Sequence, residues 1–142
     1  MYEVRDSAGV FLRHHETGDF LFHLRDDTPR IADPGMWSLI GGSIDDGESP
    51  EQAAKREVLE EIGITIEKIR YLATIDAVDV VEGERHPLRI ALFLAEIGVD
   101  ARAINLQEGQ EVRYFSLDAI MERYLKPEFK RFIFMRREDL ER

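Results

Sequence analysis

Short apolar runs alternate with polar turns along the first third of the chain. Residues 10–13 and 20–24 are rich in apolar side chains, and the polar, glycine-containing segment 15–19 separates them. This pattern predicts two strands joined by a turn. Residues 25–36 are rich in Asp, Pro and Gly, which predicts a loop. Residues 37–40 then predict a short strand that ends at a pair of glycines.

The apolar spacing becomes helical in residues 50–62. The apolar stripe consists of Ala53, Ala54, Val58 and Ile62. Ser49 is placed to cap the first turn, Pro50 suits the first helical position, and Gln52 completes a capping box. Gly63 is a natural stop, because glycine readily adopts the left-handed conformation that ends many helices. The sequence therefore predicts a helix over residues 50–62.

β-Branched and apolar residues dominate two long segments after this helix. Residues 66–81 and 88–96 predict long strands, and the charged segment 82–87 predicts the turn between them. Residues 112–115 predict another short strand. Strands therefore stand both before and after the helix.

Two further helices are expected near the C-terminus. Ser116 can cap a helix that runs to residue 121, and Pro127 can start a second one. The apolar face of the second helix consists of Phe129, Phe132 and Ile133. Basic residues also lie there, but the apolar spacing favours a packed amphipathic helix over an RNA-binding patch. The order of elements predicts one α/β domain over residues 1–142, with a mixed sheet between helices in an α/β/α sandwich.

Composition excludes several classes of protein. The 142 residues are 44% hydrophobic and contain no cysteine, which suits a globular core and excludes disulfides, thiolate metal sites and cysteine nucleophiles. The sequence has neither an apolar run long enough to span a bilayer nor the basic-then-apolar start of a signal peptide. We therefore expect a cytoplasmic protein with no membrane contact.

The net charge is −10, from 19 basic and 29 acidic side chains. Such acidity argues against non-specific binding of nucleic acid, because bare polyanions are repelled at long range. A phosphorylated substrate would need divalent cations to neutralise the local charge. Acidity also keeps a protein soluble, so composition alone does not decide between these roles.

Three glutamates occupy one face of the predicted helix. Glu57, Glu60 and Glu61 are spaced i, i+3 and i+4, so their carboxylates repel each other by a few tenths of a kcal/mol per pair. Arg56 can offset this repulsion for Glu60 only. Clustered carboxylates suit Mg²⁺, or Mn²⁺ as a substitute, better than zinc when cysteine and histidine are absent from the helix. By themselves, however, three helical glutamates are more often a solvated face than a metal site.

The glycine-rich segment 41–47 directly precedes this helix, so its backbone can approach a ligand closely. From Gly42 to Ile64 the sequence reads GSIDDGESPEQAAKREVLEEIGI, which resembles the Nudix box at every specified position. Those positions are Gly42, Glu48, Arg56, Glu57, Val58, Glu60, Glu61, Gly63 and Ile64. The order of the surrounding elements also resembles the α/β/α fold of Nudix hydrolases.

The resemblance implies a role for each matching residue. The implied metal ligands are the carbonyl of Gly41 and the carboxylates of Glu57, Glu60 and Glu61. The first two of these glutamates are also expected to be catalytic, while Arg56 orients the glutamates by ion pairing and Glu48 holds the loop against the helix. The general base can be a box glutamate or an acidic residue on a later loop, where Glu108 and Glu111 are candidates. An exposed loop charge explains those two equally well.

Three residues outside the box also bear on substrate binding. Arg25 can contact a substrate phosphate or form an exposed ion pair with a neighbouring aspartate. Trp37 can stack on a base or ribose, although a core position in its strand is the commoner case. Ile40 stands where many relatives have a proline before the paired glycines, so the substrates of those relatives transfer less well.

The resemblance implies a metal-dependent pyrophosphohydrolase that cleaves a nucleoside diphosphate linked to another moiety. Candidate substrates are nucleoside triphosphates, nucleotide sugars, ADP-ribose and dinucleoside polyphosphates, because specificity in this fold lies outside the box. The alternative is a non-catalytic Nudix module that binds a nucleotide or a protein partner, although such modules commonly lose box glutamates. Isopentenyl-diphosphate isomerisation is disfavoured, because it resembles a variant that uses cysteine. A homodimer is expected from base rates alone.

Overall fold

A computed structural model describes residues 2–142 of the chain. One mixed sheet contains β1 (Arg5–His14), β2 (Phe20–Leu24), β3 (Trp37–Ser38), β4 (Ile40–Ser43), β5 (Arg70–Val81), β6 (Glu84–Ile97) and β7 (Glu111–Phe115). The helices are α1 (Pro50–Ile62), α2 (Leu117–Met121), α3 (Pro127–Met135) and α4 (Arg137–Glu141), with a short 3₁₀ turn at Ala101–Ala103. No helix within the described residues is both long and apolar enough to cross a membrane.

β1 is the central strand of the sheet. It pairs in parallel with β6 along one edge, and with β2 and β4 along the other edge, both antiparallel. The remaining pairs, β2 with β3, β2 with β7, and β5 with β6, are antiparallel. In the ladder between β1 and β4, Gly9 lies opposite Gly41 and Ala8 lies opposite Gly42. The paired glycines are therefore held on a strand rather than in a free loop.

The sheet separates two apolar layers, because alternate side chains of β1 point to opposite faces. On one face, Phe11 stacks on Phe132 of α3 with ring centroids 5.7 Å apart, and residues of α2 and α4 join the same core. On the other face, Val10 and Leu12 pack in the cluster that holds the apolar stripe of α1. Helices cover both faces, which confirms the predicted α/β/α sandwich.

Helix α1 begins and ends where the sequence predicted. The Gln52 N–H donates to the Ser49 hydroxyl at 3.1 Å, and the Ser49 N–H donates to the Gln52 side chain at 2.8 Å. Gly63 has a φ of 73° and ends the helix in the left-handed conformation. All four residues of the predicted apolar stripe are buried. The capping residues and the stripe together fix both the length and the rotation of this helix.

The bounds of several predicted strands need correction. The strand predicted over residues 37–40 is interrupted at Leu39, where pairing passes from β2 to β1. It then continues through the glycines to Ser43, because they pair with β1. The strand predicted from residue 66 begins only at Arg70, since the preceding residues pack towards α1 without a ladder partner.

The turn predicted over residues 82–87 is much shorter in the structure. It contains only Glu82 and Gly83, whose φ angles of 49° and 79° suit a two-residue hairpin turn. β6 therefore begins at Glu84, and the charged residues after it are part of a long hairpin with β5. β1 likewise begins earlier than predicted, at Arg5, because its polar start pairs with β6.

Candidate active site

Helix α1 lies on the glycine-containing strand β4. Its buried stripe packs with Ile40 of β4 and Val10 of β1 in one apolar cluster. This packing fixes the rotation of the helix, so that Glu57 and Glu61 turn towards the paired glycines. The spacing visible in the sequence thus becomes a contact between two carboxylates and one strand.

The carboxylate of Glu57 rests on Gly42. A Cβ atom at position 42 would lie 2.6 Å from the Glu57 carboxylate, which is closer than real Cβ contacts allow. A Cβ atom on Gly41 would lie 2.1 Å from the backbone oxygen of Ala8. The two glycines therefore serve different purposes: one lets β4 approach β1, and the other leaves room for a carboxylate.

Glu61 reaches the neighbouring residue of the same strand. The Gly41 N–H donates to Glu61 Oε2 at 3.1 Å. The pKa of Glu61 is raised to about 8, first by burial and then by the negative charges of Glu57 and Glu108. The Gly41 hydrogen bond and the positive charge of Arg25 oppose this shift without cancelling it. Glu61 is therefore a carboxyl group whose ionisation is held back by its surroundings.

Arg56 joins four acidic residues of α1 and of the loop before it. Its guanidinium nitrogens lie 2.8 Å from Glu48, 2.9 Å from Glu57, 3.2 Å from Glu60 and 3.5 Å from Asp45. It also donates to the Ser43 carbonyl at 3.0 Å. The hydrogen bond from Arg56 is the main cause that lowers the pKa of Glu48 to about 2. Arg56 thus ties the loop before α1 to the helix.

The carboxylates of this site outnumber the cations that neutralise them. Glu60 leaves 59% of its side chain exposed, and among residues 2–142 its one ion pair is with Arg56. Burial raises the pKa of Glu57 in spite of its hydrogen bond with Arg56. Within residues 2–142, Glu61 takes part in no ion pair, and no three acidic or histidine side chains converge into a ready-made ligand set. Carboxylates packed against glycine backbone are nevertheless suited to a hard divalent cation.

A cavity of about 470 Å³, here called the first cavity, opens beside the paired glycines on the face of the sheet opposite α1. Its apolar walls are formed by Ile31, Leu39, Leu88, Ile90 and Phe129. Its cationic residues are Arg5, Arg25 and Lys126. The volume falls within the range of about 300–1,000 Å³ that is usual for small-molecule sites.

Lys126 closes one side of the first cavity. Its side chain is 8% exposed, and its Nζ lies 2.6 Å from Asp33 and 3.1 Å from Asp79. Nζ also donates to the Val78 carbonyl, so all three of its N–H groups are used within the protein. Arg5 extends this row of charges by pairing with Asp79 at 2.7 Å. Sequence reasoning missed the network, because its members are far apart in the chain and belong to no motif.

Arg25, predicted to bind substrate, lines the first cavity beside the paired glycines. Its Nε donates to the Ala32 carbonyl at 2.6 Å, and its positive charge acts on Glu61. In the described part of the chain it forms no ion pair with Asp26 or Asp27, which was the alternative explanation of its position. The two terminal nitrogens of its guanidinium have no acceptor among residues 2–142, which leaves them for a ligand.

Trp37, also predicted to bind substrate, belongs to the core. Its side chain is 6% exposed, and its ring packs edge-on against Phe115 with centroids 4.8 Å apart. The Arg113 guanidinium lies 5.5 Å from the ring centroid. This core position is the one that the sequence favoured, and it leaves too little ring surface for a base to stack. Trp37 is therefore a core residue, and we do not propose it as a contact for the substrate.

The two acidic residues predicted as alternative bases are placed differently. Glu108 is exposed on the loop before β7, and its negative charge raises the pKa of both Glu57 and Glu61. Glu111, in contrast, pairs with Arg113 at 3.0 Å on β7. Of the two, only Glu108 shares an electrostatic environment with the glutamates of α1.

The chain matches the family model described as NUDIX domain over residues 3–135. It is 37% identical over 81 residues to the RNA pyrophosphohydrolase of Vibrio cholerae serotype O1, a match that covers 57% of this chain and 41% of that protein. It is 34% identical over 102 residues to the NAD-capped RNA hydrolase NudC of Stutzerimonas stutzeri, which covers 71% of this chain and 33% of that protein. The matched segments thus span less than half the length of these relatives.

The fold also matches a solved structure over almost its full length. The crystal structure of the MutT protein from Methanosarcina mazei Go1 superposes with a TM-score of 0.82 and 23% sequence identity. The match covers 99% of this chain and 98% of that chain. The likeness at this identity concerns the fold.

Proposed function

The chain belongs to the NUDIX family, and from this premise we propose that it is a metal-dependent hydrolase of the pyrophosphate bond in a nucleoside diphosphate derivative. The observation that carries the proposal is the pair of carboxylates, Glu57 and Glu61, packed against glycines with too few cations around them. Such a site suits chemistry in which a divalent cation and an anionic substrate meet.

We propose Mg²⁺ as the cofactor, with Mn²⁺ as a substitute, held by Glu57, Glu60, Glu61 and the carbonyl of Gly41. The N–H and C=O groups of one strand residue point to the same edge. Because the Gly41 N–H faces Glu61 instead of β1, the Gly41 carbonyl lies on that edge as well. When bound, Mg²⁺ would screen the charge of the diphosphate and stabilise the charge that develops as the phosphoanhydride bond breaks.

The protein's own side chains would orient the reacting groups and accept one proton. Arg56 holds Glu57 and Glu60 by ion pairs, so their carboxylates keep one arrangement. The attacking water needs a carboxylate as general base, and Glu57, Glu60 and Glu108 are the proposed candidates. Glu108 is the candidate outside the helix, close enough to influence Glu61 through its charge.

The first cavity is the proposed site of the nucleoside. Phe129 and Ile31 offer apolar contacts to a base, and Arg25 stands where its charge reaches Glu61. Lys126 offers no phosphate contact, because its three N–H groups are engaged by the protein. The diphosphate would therefore lie near Gly41 and the base near Lys126.

The test is the release of phosphate and pyrophosphate from a nucleotide panel with Mg²⁺, with Mn²⁺ and with a chelator. We expect turnover that stops with the chelator and returns when the metal is restored. Glu61→Gln should lower kcat/KM about a hundredfold or more, which corresponds to roughly 2.7 kcal/mol of transition-state stabilisation. Glu51→Gln is the matched control, because Glu51 lies exposed in the first turn of the same helix.

Full activity in both Glu60→Gln and Glu61→Gln would overturn the proposal. Nucleotide binding in Mg²⁺ without turnover of any member of the panel would instead identify a non-catalytic module. Circular dichroism of each variant keeps a loss of activity distinct from a loss of fold.

A further inference from the structure

Ser7 is a buried polar residue on the part of β1 that lines the first cavity. The residue is only 8% exposed, and Gly9 lines the same cavity two positions later. Side chains alternate along a strand, so Ser7 lies on the same face of the sheet as Phe11, opposite α1. Because Gly9 carries no side chain, the next position on this face does not cover the Ser7 hydroxyl.

The hydroxyl of Ser7 makes no hydrogen bond within residues 2–142. In this part of the chain, the one fully enclosed side-chain nitrogen or oxygen that lacks a partner is Nδ1 of His23. The Ser7 oxygen lacks a partner too but is not fully enclosed, so it is accessible from the first cavity. Buried polar groups are usually satisfied, and a hydroxyl can both donate and accept. A ligand in the cavity can therefore supply the missing hydrogen bond.

The order of the strands places Ser7 between the two ends of the proposed nucleotide. At this end of the sheet the order is β4, β1, β6 and β5, with neighbouring strands about 4.8 Å apart. The diphosphate is proposed beside Gly41 of β4, and the base beside Lys126, which is bound to residues of β5. The ribose joins these two parts of a nucleotide, so it would cross β1, where Ser7 lies.

The neighbours of Ser7 suit a sugar better than a phosphate group. In the strand register, Ile90 of β6 and Ser43 of β4 lie opposite Ser7, and they offer an apolar side chain and a second hydroxyl. Arg5, two residues earlier on the same face, is already paired with Asp79 at 2.7 Å. A phosphate group is best bound by charged donors, whereas a sugar hydroxyl needs only neutral hydrogen bonds.

We propose that Ser7 is a specificity-determining residue that recognises a hydroxyl of the ribose through a hydrogen bond. The protein then binds ribonucleotides in preference to the corresponding deoxyribonucleotides. This inference rests on the proposed function for the position of the nucleotide. It holds whichever group is linked to the far side of the diphosphate.

The test compares the ribonucleotide, 2′-deoxy and 3′-deoxy forms of α,β-methylene nucleoside diphosphates, because their P–C–P bridge resists hydrolysis. Calorimetric titration with Mg²⁺ gives the Kd of each form for the four common bases. For at least one base, we expect the ribonucleotide to bind about fivefold more tightly than one of its deoxy forms, as is usual for one neutral hydrogen bond. Release of phosphate and pyrophosphate from nucleoside triphosphates is measured separately on the same protein.

Two variants of equal size assign this affinity ratio to the hydroxyl of Ser7. Ser7→Thr keeps the hydroxyl, Ser7→Val replaces it with a methyl group, and both residues suit a strand. The ratio should persist in Ser7→Thr and fall to about one in Ser7→Val. Ser7→Ala, which cannot overfill the cavity, should also give a ratio of about one.

Thr74→Val is the matched control, because Thr74 is exposed on β5 and does not line the first cavity. It makes the same exchange of a hydroxyl for a methyl group and should keep the ratio of the wild type. Circular dichroism of each variant shows that a change in the ratio does not reflect a loss of fold.

A ratio near one for every base in the wild type would overturn this role of Ser7. Absence of binding by every ribonucleotide analogue would overturn it as well, as would a ratio that both Ser7→Ala and Ser7→Val leave intact. Cleavage of triphosphates alongside any of these results would leave the proposed hydrolase standing. A ratio that depends on the Ser7 hydroxyl, with no cleavage of any substrate, would instead support the ribose contact and contradict the hydrolase.

Discussion

Gly41 and Gly42 are neighbours, yet their surroundings tolerate a side chain differently. At Gly41 an added Cβ would meet the backbone of β1, with the Ala8 oxygen 2.1 Å away. At Gly42 it would meet the end of the flexible Glu57 side chain at 2.6 Å. A backbone cannot yield without disturbing the sheet, whereas a side-chain end can move aside. The same substitution should therefore damage stability at one position and activity at the other.

Gly41→Ala is expected to lower the free energy of unfolding by about 3 kcal/mol or more, the upper end for overpacking. Gly42→Ala should change stability far less, but should lower kcat/KM at least tenfold, since it displaces Glu57 from its place. Urea denaturation and steady-state kinetics on both variants measure the two effects. Equal losses of stability in the two variants would contradict this division of roles.

His23 should make the stability of the protein depend on pH. Burial lowers its folded pKa to about 4, below the unfolded value of 6.5, so between these values the unfolded chain binds more protons than the folded one. The contribution is therefore fully present above pH 6.5 and is lost as the pH falls towards 4. The wild type should lose on the order of 2 kcal/mol between pH 8 and pH 5 from this residue.

The measurement is urea denaturation of the wild type and of His23→Phe at pH 8 and pH 5. The variant lacks the titrating ring, so its loss of stability over this interval should be smaller by that amount. Parallel pH profiles of the two proteins would show that the ring is not held in its neutral form.

At the scale of elements, the predicted bounds were right where neighbouring residues set them. They were wrong where the bounds depend on which strands pair with each other. The bounds of α1 followed from Ser49, Gln52 and Gly63, whose effects are confined to one turn of helix. The break at Leu39 depends on which neighbouring strand pairs with each half of residues 37–43. No pattern within seven residues contains that information, because the partners lie elsewhere in the chain.

The cap of α1 should contribute measurably to stability. Ser49→Ala removes the hydroxyl that accepts from the Gln52 N–H at 3.1 Å, and we expect a loss of about 1 kcal/mol. Ser49→Thr is the matched control, because threonine keeps the hydroxyl and should change stability by only a few tenths of a kcal/mol. The measurement is the denaturation midpoint of each variant. Similar midpoints for Ser49→Ala and Ser49→Thr would show that the hydroxyl of the cap does not contribute to stability.

At the scale of the whole molecule, one buried lysine connects distant segments. Lys126 binds Asp33 of the loop after β2 and Asp79 of β5, and Asp79 in turn binds Arg5 of β1. The side chains of Lys126, Asp33 and Asp79 are 8%, 11% and 13% exposed. Charges buried to this extent depend on their partners, because water no longer solvates them well.

Lys126→Met should therefore lower the free energy of unfolding by about 3–5 kcal/mol, since it leaves two buried carboxylates without their shared cation. The double variant Lys126→Met/Asp33→Asn should recover part of this loss, because one of the stranded charges is removed. Chemical denaturation of the single and double variants measures the recovery. A double variant that is less stable than the single one would show that unpaired charge does not cause the loss of stability.

Some residues of the candidate site were predictable from the sequence, and others were not, for the same reason. The spacing of Glu57, Glu60 and Glu61 and the place of Arg56 were visible in one stretch of helix. Ser7 stands near the polar start of β1 and gave no signal, since only the fold places it in the first cavity. A sequence reveals groups that act within a few residues, whereas a cavity is formed by segments that meet only after folding.

The parallel pairing of β1 with β6 also has a consequence for how the protein is made. Arg5 pairs with Leu88 and His14 with Ile97, so one edge of the central strand has no partner until the ribosome has released residue 97. At about 5–20 residues per second, that wait lasts on the order of ten seconds. An apolar strand edge that stays unpaired for so long can pair with other chains. Chaperones that bind nascent chains would therefore affect the yield of folded protein more than its final stability.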